Sequence, residues 1–432
     1  MKGLSYDKIP ILKKIYMVLF VVLPIINQYQ FFSLTFLQIY TLFGVCVWIL
    51  NNRKLIIDRG VMAYIFYVII ISLVGYTIAG DSSVTRIILR MVSFVLLTVN
   101  FYVIFPKMAD FSYIYKIYSI IIFLIVITLF AQYILYLVGN RPTMLLMPGM
   151  TLNYNGGVNS SEFMSYTLGR INTGYYYRPC SIFIEPGFQS MFCAPWLALK
   201  LFYGKEKKWK EILVALIVTI TMILTTSSMG ILCALVIWML FVVNTFSPGD
   251  RRNIKTVLLI LPFLIVAGIY LYGVSGVSTS IAIKMKSLQN INGSSSLTWR
   301  LLRGVECFKQ IGLFQQIFGC GYGDLTSYFN LIHLTTKYDI NLTLIDYMNG
   351  ISYLFCSIGI VGSILLFNIV VKYFPRYKTK IETKILFVCL LIIMFSAAVF
   401  DTDKYFLYIG LIMCTALNCD KDTMLDEGVN YV

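Results

Sequence analysis

The sequence predicts an all-α integral membrane protein with about twelve transmembrane helices, both termini cytoplasmic, and a large extracytoplasmic loop carrying an amphipathic helix. Three observations lead there. Of 432 residues, 59% are hydrophobic and only 13% are charged, far from the balance of soluble domains. Apolar runs of spanning length recur along the whole chain. The short connectors between them segregate Lys and Arg to one side.

A run that crosses about 30 Å of hydrocarbon needs roughly 17 to 25 residues. Such runs lie near 14–27, 33–50, 61–79, 87–105, 113–138, 186–203, 212–226, 229–246, 256–274, 350–371, 384–400 and 404–419. The first follows Lys2, Lys8, Lys13 and Lys14 and has no small-residue cleavage site, so it reads as a retained span. With the N-terminus inside, connectors 51–60, 106–112, 204–211, 247–255 and 372–383 are cytoplasmic, and each carries Lys or Arg. The outer turns 28–32 and 226–229 carry neither, which is the positive-inside asymmetry. It accounts for a net charge of +15 with no nucleic-acid partner, since no basic stripe is interleaved with aromatics in a polar domain.

The chain therefore divides into residues 1–274 with nine spans, residues 275–349 as the large outer loop, and residues 350–432 with three spans and a cytoplasmic tail. Ten cysteines form no C-x-x-C pair and there is one histidine, so neither a metal site nor another cofactor is expected. Cys180, Cys307 and Cys320 fall on the outer side, where a disulfide is permitted, and read by default as free thiols.

Function is expected in the two long outer connectors, 139–185 and 275–349. The first is rich in Asn, Gly and Tyr, including Tyr177, a composition suited to a polar, ring-shaped ligand such as a sugar. A merely flexible loop has the same residues. In the second, "SSSLTWRLLRGVECFKQIGLF" predicts an N-capped amphipathic helix over 297–318 with Leu301, Val305 and Phe308 on one side. Gly319, Gly321 and Gly323 follow a helix and open no βαβ unit, so they predict helix termination and a tight turn, not a dinucleotide loop.

Arg178 and Glu185, in "RPCSIFIEP", each precede a proline. The residue before proline is pushed out of the α region, while proline suits the first helical position, so the sixth span is expected to begin at Pro186 with Glu185 at its cap. The pair reads either as an ion pair marking a boundary or as part of a reactive site. Arg86, Arg90, Arg300 and Arg303 share the outer side with Arg178. Charges at membrane depth tend to line functional cavities, and planar guanidinium groups suit phosphate oxygens, so converging arginines would bind a pyrophosphate. His333 is a candidate base, or a surface histidine satisfied by a hydrogen bond.

Three ordered stretches carry a resemblance: "RPCSIFIEPG", "LTWRLLRG" leading to "IFGCGYGD", and "NGISYLFCSIGIVGSILLF". With the predicted topology, they resemble the Wzy-type polymerases of the O-antigen ligase and polymerase superfamily. The resemblance implies a metal-independent glycosyltransferase of the bacterial cytoplasmic (inner) membrane. It would join oligosaccharide repeat units carried on undecaprenyl pyrophosphate, at the outer face, into O-antigen, capsular polysaccharide or exopolysaccharide. Membrane lipid, a chain-length regulator and a flippase of the same pathway are the implied partners. Arg178, Arg300 and Arg303 would hold the donor pyrophosphate, with Arg86, Arg90, Tyr177 and Asn349 in the binding site. Glu185 would orient an arginine or act as base. Met348 stands before Asn349 where the ligase branch resembles His-Asn, which favours polymerase over ligase. A ligase-like glycan transferase and a lipid-linked oligosaccharide flippase or transporter are the rival readings.

Overall fold

A computed structural model describes residues 10–31, 34–52, 54–79, 84–140, 142, 144–153, 158–172, 177–203, 208–245, 302–323, 325–335, 348–372, 380–397 and 399–426. Helices dominate. In chain order they are α1 (Ile11–Ile26), α2 (Phe36–Asn52), α3 (Arg59–Ala79), α4 (Val84–Val99), α5 (Phe105–Met108), α6 (Phe111–Leu137), α7 (Ser160–Asn172) and α8 (Pro186–Tyr203). They continue as α9 (Lys208–Leu224), α10 (Ser228–Thr245), α11 (Gly304–Gln310), α12 (Leu313–Phe318), α13 (Leu325–Leu331), α14 (Gly350–Val371), α15 (Ile381–Ser396) and α16 (Asp403–Asp426). Helices cover every predicted span except 256–274, which lies outside the described residues.

Five segments, Arg59–Ala79, Val84–Met108, Phe111–Leu137, Ser228–Thr245 and Gly350–Val371, are long and apolar enough to cross a membrane. On α6, Ile120, Phe123, Leu124, Ile127 and Ile134 are exposed at helical spacing, an outward apolar stripe that lipid would solvate and water would not. The chain is a helical membrane protein.

The centre of the bundle is α8. Every residue from Gln189 to Leu199 is buried, and the helix packs against α6, α9, α10, α15 and α16. It starts at Pro186, as the two-proline pattern requires. The same core extends through α1, α2, α5 and α16 by aromatic rings: Tyr16 stacks on Tyr40 at 4.9 Å and Phe101 on Phe406 at 4.1 Å. Phe101 belongs to a π-helical turn, Asn100–Ile104, that joins α4 to α5. This turn carries the fully buried Asn100 to the Tyr16 hydroxyl, which donates to Asn100 Oδ1 at 3.0 Å.

The connectors after α1 and before α7 add a little β-structure to the predicted all-α fold. β1 (Gln30–Phe31) pairs antiparallel with β2 (Leu34–Thr35), and β3 (Thr151–Leu152) with β4 (Val158–Asn159). Tyr29 bridges to Leu152, so the turn after α1 and the connector before α7 form one layer.

Three predictions from the sequence need correction. The amphipathic helix over 297–318 is broken at Ile311 and Gly312 into α11 and α12, while residues 297–301 lie outside the described residues. Its buried face runs through Arg303, Cys307 and Ile311, four residues apart, and Val305 is exposed. The predicted stripe followed side-chain greasiness, but the buried side of this helix carries a cation.

The predicted span 350–371 is also not one helix. Gly359 has φ +67° and ψ −177°, so α14 breaks there. The glycine turn after α12 docks into that break. Cys320 N–H donates to Cys356 O at 2.8 Å and Gly321 N–H to Ser357 O at 3.0 Å, taking carbonyls near the kink. Cys356 to Gly359 lie six to nine residues past the start of α14, about 9 to 13 Å along it at 1.5 Å per residue. The turn predicted after this helix therefore packs against the body of α14. Irregular backbone at such depth persists only where protein satisfies it.

Candidate functional site

The segment 177–185 has no regular structure, and two glutamines hold it. Gln28 Oε1 accepts from Ile184 N–H at 2.7 Å, and its Nε2 donates to Ile182 O at 3.0 Å. Gln132 Oε1 accepts from Ser181 N–H at 2.9 Å, and its Nε2 donates to Ser181 O at 3.0 Å. Each amide satisfies donor and acceptor groups of a buried, irregular backbone, which would otherwise be costly to bury. Ser181 is left-handed at φ +55°, and its hydroxyl also pairs with that of Thr128.

Arg178 and Glu185 leave this clamped segment half-buried. Arg178 Nε donates to Thr226 Oγ1 at 3.2 Å, in the turn between α9 and α10. Thr226 is left-handed at φ +53°, an unfavourable state for a β-branched residue. Both charges act on Cys180: burial pushes its thiol far up, with the Arg178 charge opposing the shift and the Glu185 charge adding to it. Phe188 and Gln189 N–H donate to the Glu185 carbonyl, so Glu185 closes the first turn of α8 as expected.

Tyr177 is committed elsewhere. Its hydroxyl donates within the carbonyls of Gln132 and Pro142 at 3.0 and 2.6 Å, and its ring stacks on Tyr136 at 4.1 Å. It braces the segment that carries Arg178.

A second group of charges surrounds the start of α14. Asn349 caps that helix, its Oδ1 accepting from Ser352 N–H at 2.7 Å. Arg303 is fully buried, and the adjoining Gly304 faces Ser352 and Asn349 closely enough that an added Cβ would lie 2.5 Å from Ser352 Cβ. Arg90 lies along Gly323, 3.1 Å from where a Cβ would stand, and within electrostatic reach of Tyr353. Arg303, just before α11, and Arg90 of α4 therefore both lie near the first turn of α14.

The connector between α15 and α16 links the two groups. Gly350 N–H donates to Ala397 O at 2.8 Å, and Phe400 packs between Tyr353 and Tyr405. Asp403 accepts from Asn27 Nδ2 at 2.8 Å and pairs with Lys404 at 3.2 Å. Lys404 Nζ in turn stands 4.2 Å over the ring of Phe188, on the first turn of α8.

The remaining candidates separate from these groups. Arg86 is exposed, one helical turn from Arg90. His333 is exposed and left-handed at φ +46°, in the turn closing α13, with its N–H donating to Asn330 O at 3.1 Å. Arg300 lies outside the described residues. Among the described residues, no three His, Cys, Asp or Glu side chains converge as a metal site. Cys180, Cys307 and Cys320 form no disulfide among the described residues.

Sequence reasoning missed Gln28, Gln132, Thr226 and Asp401. A signal existed for Gln132, a lone amide inside "ITLFAQYILYL", because polar groups within spans seldom lack a task. Comparison with protein-family models finds no match, and no characterised protein matches the sequence.

Proposed function

We propose that the protein is a metal-independent glycosyltransferase at the outer face of the membrane. It polymerises lipid-pyrophosphate-linked oligosaccharide units, as the resemblance to Wzy-type polymerases implies. The observation that supports this reading is the placement of Arg303, fully buried next to Gly304 at the capped start of α14, with Arg90 in electrostatic reach of Tyr353 on the same turn. Burying a guanidinium such as that of Arg303 is costly, and with the half-buried Arg90 near the same helix start its planar fork suits a dianionic pyrophosphate. Pyrophosphate is also the leaving group, so cations that hold it favour departure of its charge in the transition state.

In this reading, donor sugar–phosphate bond cleavage sends its electron pair to the pyrophosphate at Arg303 and Arg90, while an acceptor hydroxyl attacks the anomeric carbon. Arg178, held by Thr226, and Glu185 are proposed to contribute the acceptor side of the site. Twelve spans, cytoplasmic termini and a bacterial cytoplasmic membrane belong to the same proposal.

The test is reconstitution in liposomes with an undecaprenyl-pyrophosphate oligosaccharide. The expected product is a ladder of polymer lengths, lost in Arg303→Ala and Arg90→Ala with folding confirmed. Movement of the lipid across the bilayer with no glycosidic bond formed would make the protein a flippase. Transfer only of finished polymer to another acceptor would make it a ligase-like enzyme.

A further inference from the structure

The connector between α15 and α16 holds an acidic group that none of the outer arginines explains. Asp401 is left-handed at φ +64°, an uncommon state for a residue other than glycine. Its Oδ2 is shut off from solvent and accepts no hydrogen bond from the described residues. A buried carboxylate oxygen without a donor is unfavourable, and groups of this kind call for an explanation in ligand or catalytic terms.

Its surroundings are specific. The Asp401 charge acts on Tyr64 from α3, Tyr102 from the π-helical turn and Tyr405 from α16. The Tyr102 and Tyr405 hydroxyls pair with each other at 3.0 Å. Next in the chain, Phe400 packs against Tyr353, which lies within reach of Arg90. The charged neighbours on α16 are Asp403 and Lys404, which are engaged with each other. The carboxylate is thus connected to Arg90 through the packed rings of Phe400 and Tyr353.

We propose that Asp401 is the proton acceptor for the attacking hydroxyl of the acceptor sugar, an inference that rests on the transferase reading above. The bookkeeping of the step closes without a further reagent. The acceptor O–H proton passes to the Asp401 carboxylate, and the freed oxygen pair forms the new bond to the anomeric carbon. The bond from that carbon to the pyrophosphate oxygen breaks, and its pair leaves on the pyrophosphate held by the arginines. The exclusion of solvent at Oδ2 makes the carboxylate a stronger base than one in water. It also keeps bulk water from competing with the sugar hydroxyl.

The experiment uses the full-length protein in liposomes, with an undecaprenyl-pyrophosphate oligosaccharide as both donor and acceptor, and follows the initial polymerisation rate from pH 5 to 9. Burial pushes the Asp401 carboxyl up to about 7, so the wild-type rate should rise with pH through that value. Asp401→Asn should lower the rate by about 100-fold or more and flatten that limb. Its affinity for undecaprenyl pyrophosphate alone, measured by calorimetry, should stay unchanged, which separates loss of a base from loss of fold. Asp401→Glu, which keeps a carboxylate, should restore part of the rate together with a pH limb. A wild type that polymerises while Asp401→Asn keeps both its rate and its acid limb overturns the role of Asp401 alone. A wild type that forms no glycosidic bond overturns the transferase reading and this role with it.

Discussion

The Tyr67 hydroxyl of α3 lies 2.7 Å from the carbonyl oxygen of Phe318, the last residue of α12, and 3.1 Å from that of Ile358 in α14. One phenol thus ties three elements at the point where α14 breaks and the glycine turn docks. Tyr67→Phe removes the only change-of-polarity atom and leaves two carbonyls short of a donor. The expected cost is about 1 to 3 kcal/mol, read as a lower unfolding midpoint in detergent. An unchanged midpoint would mean that the phenol does not hold the junction.

The break itself should be intolerant of a side chain. A Cβ on Gly359 would stand 2.4 Å from Ile317 O and 2.5 Å from Gly319 N, in a left-handed backbone. Gly359→Ala is therefore expected to destabilise by roughly 3 kcal/mol or more, from clash and strain together. The control is Gly187→Ala in α8, where a Cβ meets nothing within 4 Å. It should be within about 0.5 kcal/mol of wild type. Equal effects of the two substitutions on thermal unfolding would contradict the docking arrangement.

Much of this architecture was open to reading from residue pattern, and the limits have physical causes. The start of α8 at Pro186 followed from local backbone sterics, which need no tertiary information. The break in α14 could not be seen, because "SIGIVG" is as apolar as an unbroken span and only the partner backbone from α12 gives Gly359 its role. Arg178 and Glu185 were visible as charges beside prolines. Thr226, which accepts from Arg178, was hidden in a polar turn where any hydroxyl looks alike. Asp401 was hidden more deeply, since an acid between two spans reads as a solvated loop residue, whereas its Oδ2 is shut off from solvent and its charge acts on tyrosines from three elements.

Burial of Asp401 also sets a pH dependence of stability. Its folded value near 7 lies above the unfolded value of 3.8, so folding favours the protonated carboxyl. The associated stability is fully present below about pH 3.8 and is lost as pH rises through 7. The difference in unfolding midpoint between wild type and Asp401→Asn should therefore widen between pH 5 and 8, with the variant more stable at the alkaline end. Parallel curves across that range would show the carboxyl to be solvated.

The contact between Arg178 and Thr226 yields a graded test of the outer wall. Thr226→Val keeps shape and removes the acceptor for Arg178 Nε, while Thr226→Ser keeps the acceptor and removes the β-branch that disfavours φ +53°. If the hydroxyl aims the guanidinium, Val should lower the polymerisation rate by about 10-fold, equivalent to roughly 1.4 kcal/mol, and Ser should leave it near wild type. Thermal unfolding separates this from a folding defect, because Ser should also raise the midpoint slightly by relieving backbone strain. The ordering Ser, wild type, then Val in stability, with only Val impaired in rate, is the expected pattern. A rate loss of the same size in both variants would place the importance of Thr226 in its backbone and not in its hold on Arg178.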